Sequence, residues 1–394
     1  MIRGKAHHSS PYSPYPAWDI RFDDELKSEK VNIRKTNSFY DYTLKGIKAA
    51  KKANKPFYYS IDIHDPHTPF YNWEKKALKP GLNKEDIDNP PSKIFKANEI
   101  VIPKFLPKTP LVKQEMAAYY STVRRADDSF GYIIKALKDS GVYDNTLIIF
   151  FSDHGMPLPF AKTALYYHST HTPLMVRWPN KTQASYVDSQ HVIGTVDIFP
   201  TLAEIIGVPA PKGLDGRSFA SILKGQKQTN RDYAYTMYEE NVGGNRQPMR
   251  SIVTKDFGYI FSPWSDGTRK FATATKGTAT YKEMVRLSKA GDKKQTERLN
   301  LFTYSEPELL FNYAKDPDAL NNLIKQPEYK TVLSSLKETL KNKMLSSGDP
   351  LLKAFKQQGH QKAIQSYLAK LDQASKLRKK DPSFKRNSAK KVKK

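Results

Sequence analysis

Cysteine is missing from all 394 residues. Its absence excludes disulfides, thiolate metal sites and a cysteine nucleophile within the chain. Long apolar runs are missing too. Nothing approaches the roughly 20 apolar residues of a membrane span, and Met1-Ile2-Arg3-Gly4-Lys5 lacks the apolar core of a signal peptide. Carboxylates are few beside cations: 40 Asp and Glu face 65 Lys and Arg, a net charge of +25 that suits an anionic partner or substrate. Part of that excess is local. Lys376 to Lys394 carries ten basic residues and one acid, so +9 sits in the tail and +16 in the body. A lysine-rich, aromatic-poor terminus reads as a disordered solvated arm, and nucleic acid is not the partner expected for it.

What is present is an alternation of strands and helices in the first half. "FYDYTLKGIKAAKKANKP" puts Tyr42, Leu44, Ile47 and Ala50 on a helical period, and "FYYSIDIH" then reads as a strand, Phe57 to Ile63. A long proline-punctuated excursion follows, of the kind that lines or covers a site. Val112 to Ser140 is a long helical pattern that stops at Gly141. The apolar run Leu147 to Phe151 reads as a strand covered on both faces of a parallel sheet. "TPLMVRWP" gives a strand from Leu174, and "VIGTVDIFPTLAEIIGV" a strand-to-helix passage with Asp197 as a candidate N-cap. Beyond about Gln226 the texture changes. "MRSIVTKDFGYIFSPW" alternates like an antiparallel pair around Lys255-Asp256, and "ELLFNYAKDPDALNNL" joins a strand to an Asp-Pro turn. The expected organisation is an α/β domain over 1–225, an α+β subdomain over 226–375 and a basic disordered tail over 376–394.

Three loops concentrate chemistry suited to an anion: "GKAHH" at Gly4 to His8, "HDPHTP" at His64 to Pro69, and "SDHGMPLPFAK" at Ser152 to Lys162. Lysines supply point charges for a tetraoxoanion, and histidines supply protons or hydrogen bonds to a leaving or bridging oxygen. Of nine histidines, His7, His8, His64, His67, His154, His168 and His171 lie in or beside these loops. Asp153-His154 stands where a strand of an open α/β sheet ends, the usual place for ligands, with Gly155 allowing a sharp exit. Adjacent Asp and neutral His are good ligands for a divalent cation but only half a coordination shell.

These blocks, with "VDIFPTLAEIIGVPAPKGLDGRSFASIL" and "ELLFNYAKDPDALNNL", resemble successive segments of a sulfatase of the alkaline phosphatase superfamily, and they are most similar to the heparan N-sulfatase (sulfamidase) branch. The resemblance implies an alkaline-phosphatase-like sheet flanked by helices, with a smaller C-terminal α+β domain. It also implies hydrolysis of O-sulfate esters or N-sulfamates on anionic sugars, and a secreted or periplasmic setting. Position by position, it makes Lys5 and Lys162 the cations on sulfate oxygens and His7 the residue that assists the nucleophile. His67 becomes the sulfate contact and leaving-group acid, His64 a loop-organising residue. Asp153 and His154 become ligands of a divalent ion, calcium in the family. His154 stands where many sulfatases have Asn, and Asp-His is also the pair of phosphatases and phosphonate hydrolases in the superfamily.

The departures bear on the nucleophile. Sulfatases use a formylglycine made from Cys or Ser in a Cys/Ser-x-Pro/Ala-x-Arg segment. No segment here fits, the nearest being Ser265-Asp-Gly-Thr-Arg269. The family's Asp-Asp pair is absent ahead of Lys5, and Asp23-Asp24, out of order, reads as a solvated turn. The expectation is therefore a fold entered part-way, with the N-terminal part lost to truncation, carried by another chain or truly absent. Two further readings stand beside the sulfatase: a non-catalytic polyanion-binding pseudoenzyme, and a phosphodiester or phosphonate hydrolase.

Overall fold

Ile2 and Arg3 form strand β1, which pairs in parallel with β2, Ser60–Ile61, in a computed structural model that describes residues 1–5, 18–241 and 245–380. The chain divides into two compact units. The first holds Met1–Ile102, Leu106–Leu147 and Thr278–Glu283, and the second Pro103–Phe105, Ile148–Gly277 and Met284–Lys394.

In the first unit, the helix Ser38–Lys52 turns Phe39, Tyr42 and Ile47 inward, as its periodicity requires, while its lysines face water. Arg3 is fully buried. Its guanidinium lies 3.5 Å from the centre of the Phe39 ring and donates to Ser38 Oγ at 2.8 Å, and burial pulls its pKa down to about 10. The strand expected over Phe57 to Ile63 pairs only at two residues, because the chain turns at Gly4, φ +83°, and takes β1 away. The long helix Pro110–Asp139 begins with Thr109 capping Val112 N and Pro110 in the first turn, and ends where Gly141 turns left-handed at φ +69°.

The proline-rich excursion between these elements is held by buried charge. Arg125, on the long helix, reaches Asp65 Oδ2 at 2.7 Å and Asp86 Oδ1 at 3.0 Å, and Arg34 pairs with Asp65 from the other side. Thr122 and Ser121 of the same helix accept the Tyr71 and Phe95 N–H groups.

In the second unit, β3 (Ile148–Phe151) pairs with β4 (Leu174–Arg177) in antiparallel register, Ile148 opposite Arg177 and Phe151 opposite Leu174. This corrects the expectation of a parallel neighbour. Between them lies only a four-residue helix, Tyr167–Thr170, too short to carry the chain back along a sheet as a parallel crossover must. Nor is β3 covered on both faces: Phe151 is 45% exposed and Met175 of β4 55%. The helix Ile198–Ile206 follows, without the strand expected before it. Asp197 does not cap it. Its carboxylate is buried, accepting Gly194 N and Arg217 N and pairing with Arg231 at 2.7 Å.

The later strands form an antiparallel sheet in the order β5 (Tyr233–Glu240), β6 (Arg246–Thr254), β7 (Phe257–Phe261) and β8 (Glu308–Asn312). The turn falls at Lys255-Asp256 as the alternation indicates. Ile252, Tyr259, Phe261 and Leu310 on this sheet pack against Leu336, Leu340 and Met344 of the helix Lys330–Ser346. The last helix, Gln361–Lys380, takes in Lys376 to Lys380 of the expected disordered tail; the rest of that tail lies outside the described residues.

Candidate active site

Parallel pairing brings the carboxyl ends of β1 and β2 side by side, which sets Lys5 near the His64–His67 loop. Gly4 makes the approach possible: a Cβ there would stand 2.6 Å from the Asp62 carbonyl oxygen, and its φ of +83° suits no other residue well. The Gly4 N–H donates to Asp23 Oδ2 at 3.0 Å. Asp23 is therefore no solvated turn residue. It is buried at the start of the helix Phe22–Ser28 and fixes the turn that carries Lys5, itself left-handed at φ +49°. Sequence reasoning missed this role, since a carboxylate that binds backbone 19 residues away leaves no local pattern. His7 and His8 lie outside the described residues.

His64 and His67 have ring centres 5.4 Å apart. Burial, then the positive charge of Arg34, His67 and Lys5, pushes the His64 pKa down to about 4, so its ring is neutral at physiological pH. His67 is exposed. Its Nδ1 lies 2.7 Å from the Thr68 carbonyl, which can only accept, so Nδ1 carries a proton and Nε2 is the atom that can gain and release one. Arg34 sets the loop's course, donating to the His67 carbonyl at 2.9 Å, Thr68 at 3.2 Å and Pro69 at 3.3 Å while it pairs with Asp65.

The second unit carries the other candidates. Past β3, Ser152 Oγ donates to the His154 carbonyl at 2.8 Å, and His154 Nδ1 donates to the Gly155 carbonyl at 2.7 Å. That bond leaves the lone pair of the neutral ring on Nε2, 3.7 Å from Asp153 Oδ1. A ring so oriented beside a carboxylate fits a divalent cation. The fit stops at two donors, for among the described residues no three His, Cys, Asp or Glu gather for a metal. Gly155 is needed for closeness rather than for an unusual φ: a Cβ would fall 1.8 Å from the His168 carbonyl oxygen.

Lys162 is presented by a constrained loop. Phe160 and Thr163 on either side are left-handed, at φ +66° and +61°, a costly conformation for a bulky and a β-branched residue. Phe160 is locked among Tyr166 and Phe302, with the Arg298 guanidinium 4.1 Å from its ring centre. Thr163 meets Thr273 hydroxyl to hydroxyl at 2.7 Å. Two histidines of the sequence cluster are used otherwise: His168 pairs with Asp318 at 3.0 Å, and His171 stacks on Tyr167. Ser265 is buried and donates to the Tyr304 carbonyl, and Arg269 pairs with Asp372 at 2.9 Å, so the serine segment nearest to the nucleophile pattern is a structural turn.

Comparison with known proteins decides the family. The sulfatase family model matches residues 10–208, about half of the chain, and the model of the N-sulphoglucosamine sulphohydrolase C-terminal region matches 153–265. The chain belongs to the sulfatase family. An ulvan-active sulfatase of Formosa agariphila is 30% identical over 343 residues, covering 86% of this sulfatase chain and 54% of that protein. Human N-sulphoglucosamine sulphohydrolase is 24% identical over 313 residues, covering 75% and 62%. The chain thus spans about half to three-fifths of the length of these relatives. Among solved structures, a 2-O GAG sulfatase superposes with a TM-score of 0.53 at 17% identity over 86% of this chain and 67% of that one. A phosphonate monoester hydrolase of Agrobacterium radiobacter gives 0.51 at 19% over 77% and 60%. The fold of this sulfatase chain is accordingly the α/β, alkaline-phosphatase-like one.

Proposed function

We propose that the chain carries the anion- and metal-binding machinery of a sulfatase that cleaves O-sulfate esters or N-sulfamates on anionic sugars. The observation that supports this best is the Lys5, His64 and His67 group at the adjacent carboxyl ends of two parallel strands, on a chain of this family. Hydrolysis breaks the S–O or S–N bond, adds the oxygen of water to sulfur and returns a proton to the sugar oxygen or nitrogen. In this reading Lys5 and Lys162 neutralise sulfate oxygens, and His67 gives its Nε2 proton to the leaving atom. His7 assists the nucleophile, and His64 stays neutral. Asp153 and His154 would hold a divalent cation, calcium in our proposal, whose charge would add to that of the lysines.

We further propose an α/β domain over 1–225, a C-terminal α+β subdomain over 226–375, and a secreted or periplasmic location. Among the described residues no helix is long and apolar enough to cross a membrane. A second reading, a polyanion-binding protein without turnover, is favoured by one observation: the 394 residues hold no cysteine and no Ser-x-Pro/Ala-x-Arg. A hydrolase of phosphodiesters or phosphonates is the third, suggested by the Asp153-His154 pair.

Calorimetry with calcium and with a sulfated disaccharide tests the site. Asp153→Ala should weaken calcium binding at least tenfold and Lys162→Ala the sugar. Unchanged affinity in both variants would remove the assignment. The 394-residue chain alone should not turn over an aryl sulfate, because positioning without a nucleophile leaves little rate; turnover abolished by Lys162→Ala would show a nucleophile among its other residues.

A further inference from the structure

A cleft of about 120 Å³ opens between the proline-rich excursion and the helix Pro110–Asp139, inside the first unit, and no step of the sulfatase reading uses it. The helix leaves the room for it. Ala117, Ala118 and Ser121 line the cleft from that side, where larger side chains would fill the space. The facing walls are pinned to the same helix at two points: Tyr71 N donates to Thr122 Oγ1 at 2.8 Å, and Phe95 N to Ser121 Oγ at 2.9 Å. Asn72, left-handed at φ +53°, is held by its own N–H, which donates to Asp86 Oδ2 at 3.1 Å. The Tyr71 ring centre lies 5.5 Å from the Arg125 guanidinium, and the Phe95 ring meets Tyr120 edge-on at 5.7 Å. Both aromatic walls are thus set without a ligand.

What the lining lacks is charge. Its ten residues include no Lys, Arg, His, Asp or Glu, in a chain of net charge +25. The cations nearby are engaged within the protein: Arg125 pairs with Asp65 and Asp86, and Lys93, 4.5 Å from the Phe95 ring centre, pairs with Glu99 at 3.1 Å. What the lining offers is the rings of Tyr71 and Phe95 beside the amides of Asn72 and Gln114. Tyr71 is 4% exposed, and its hydroxyl has no hydrogen-bond partner among the described residues. Burial, then the charge of Asp86, raises its pKa, so the proton stays and can be donated. A mostly buried donor without a protein partner is the kind of group that a ligand completes.

We propose that this cleft binds one uncharged pyranose ring. Such a ring is amphipathic, with apolar C–H faces and a rim of hydroxyls that both donate and accept. Aromatic rings cover the faces, while the amides and the phenol, which also donate and accept, answer the rim. A charged sugar would give up water to a lining that holds no counter-ion. The space is of the order of the cavity of about 150 Å³ that takes a benzene ring, so one six-membered ring enters and the rest of a glycan stays outside. The inference does not depend on the sulfatase reading, because the cleft would hold a neutral part of a glycan whether or not the chain cleaves sulfate.

The test is saturation-transfer NMR titration of the full 394-residue chain with the methyl glycosides of glucose, galactose and xylose, with glucuronate and with cyclohexanol. At least one glycoside should bind, and more tightly than glucuronate or cyclohexanol. Tyr71→Phe keeps the ring and Gln114→Ala falls at an exposed helix position, so both variants should fold. Each should weaken the glycoside about threefold, and the two together about ninefold if their effects add. Lys162→Ala should change its affinity less than twofold. Failure of all three glycosides to bind the intact chain overturns the proposal. So does parent-like affinity in both cleft variants, which puts the sugar elsewhere, or loss of binding in Lys162→Ala, which puts it at the sulfate site. Tighter binding of glucuronate or cyclohexanol overturns it too, since the cleft would then select charge or a plain apolar ring. None of these outcomes bears on the sulfated-sugar reading, which the calcium and sulfated-disaccharide titrations decide.

Discussion

His64 shows how much chemistry one burial can set. Its pKa near 4 lies below the ordinary histidine value, so between those two the unfolded chain binds a proton that the folded chain refuses. Stability contributed by the neutral ring is complete above about pH 6.5, declines as pH falls toward about 4, and changes no further below that. Urea midpoints should therefore drop more between pH 6.5 and 4 in the parent than in His64→Gln. Equal drops would mean that His64 is not held neutral by the fold. At this scale the sequence exposes residues whose signal is local and hides the partners of residues that act at a distance. Asp153, His154 and Lys162 stood out because a strand end and two prolines surround them. Asp23 and Asp197 suggest a solvated turn and a helix cap instead of their buried roles, because their partners, Gly4 and Arg231, are fixed only by the fold. The reason for Gly155 was misread in the same way: the backbone that crowds it comes from His168.

Among the elements, the excursion after β2 is informative because it has little secondary structure of its own and is held by ion pairs. Arg125 joins Asp65 and Asp86 inside the first unit, with side chains at most 5% exposed. Removing it leaves two buried carboxylates short of a partner, which costs about 3–5 kcal/mol in comparable pairs. Arg125→Met should lower unfolding free energy by that order in chemical denaturation. A change within about 0.5 kcal/mol, the range of ordinary surface substitutions, would show that the network is dispensable. The helices were legible from apolar period and end signals, Thr109-Pro110 before the long helix and Gly141 after it. Strand pairing was less so. A run such as Leu147 to Phe151 announces a strand, but the direction of its neighbour depends on the path of the intervening chain, which composition does not record.

For the whole molecule, the question is where the +25 acts. Lys376 to Lys380 belong to a helix, and Arg378 pairs with Glu240 at the surface, a bond that contributes at most about 1 kcal/mol. Deleting 376–394 should therefore change stability little. It should also leave binding of a heparin-like oligosaccharide largely intact at physiological salt, where a Debye length of about 8 Å screens charges that do not touch the ligand. Calorimetry on the truncated chain checks this. Loss of most of the binding there, with Lys162→Ala harmless in the full chain, would transfer the anion-binding role to the tail.

Alongside Phe151 and Met175, the helix Ile198–Ile206 leaves Phe199 and Ile206 exposed, the latter at 66%. Apolar side chains open to water attract one another between molecules as readily as within one. What holds copies of the chain apart is the like charge spread over each of them. The lysine excess therefore has a colloidal consequence besides any substrate: ions that screen it remove the repulsion while leaving the apolar faces as adhesive as before, so raising the salt should increase light scattering by this protein.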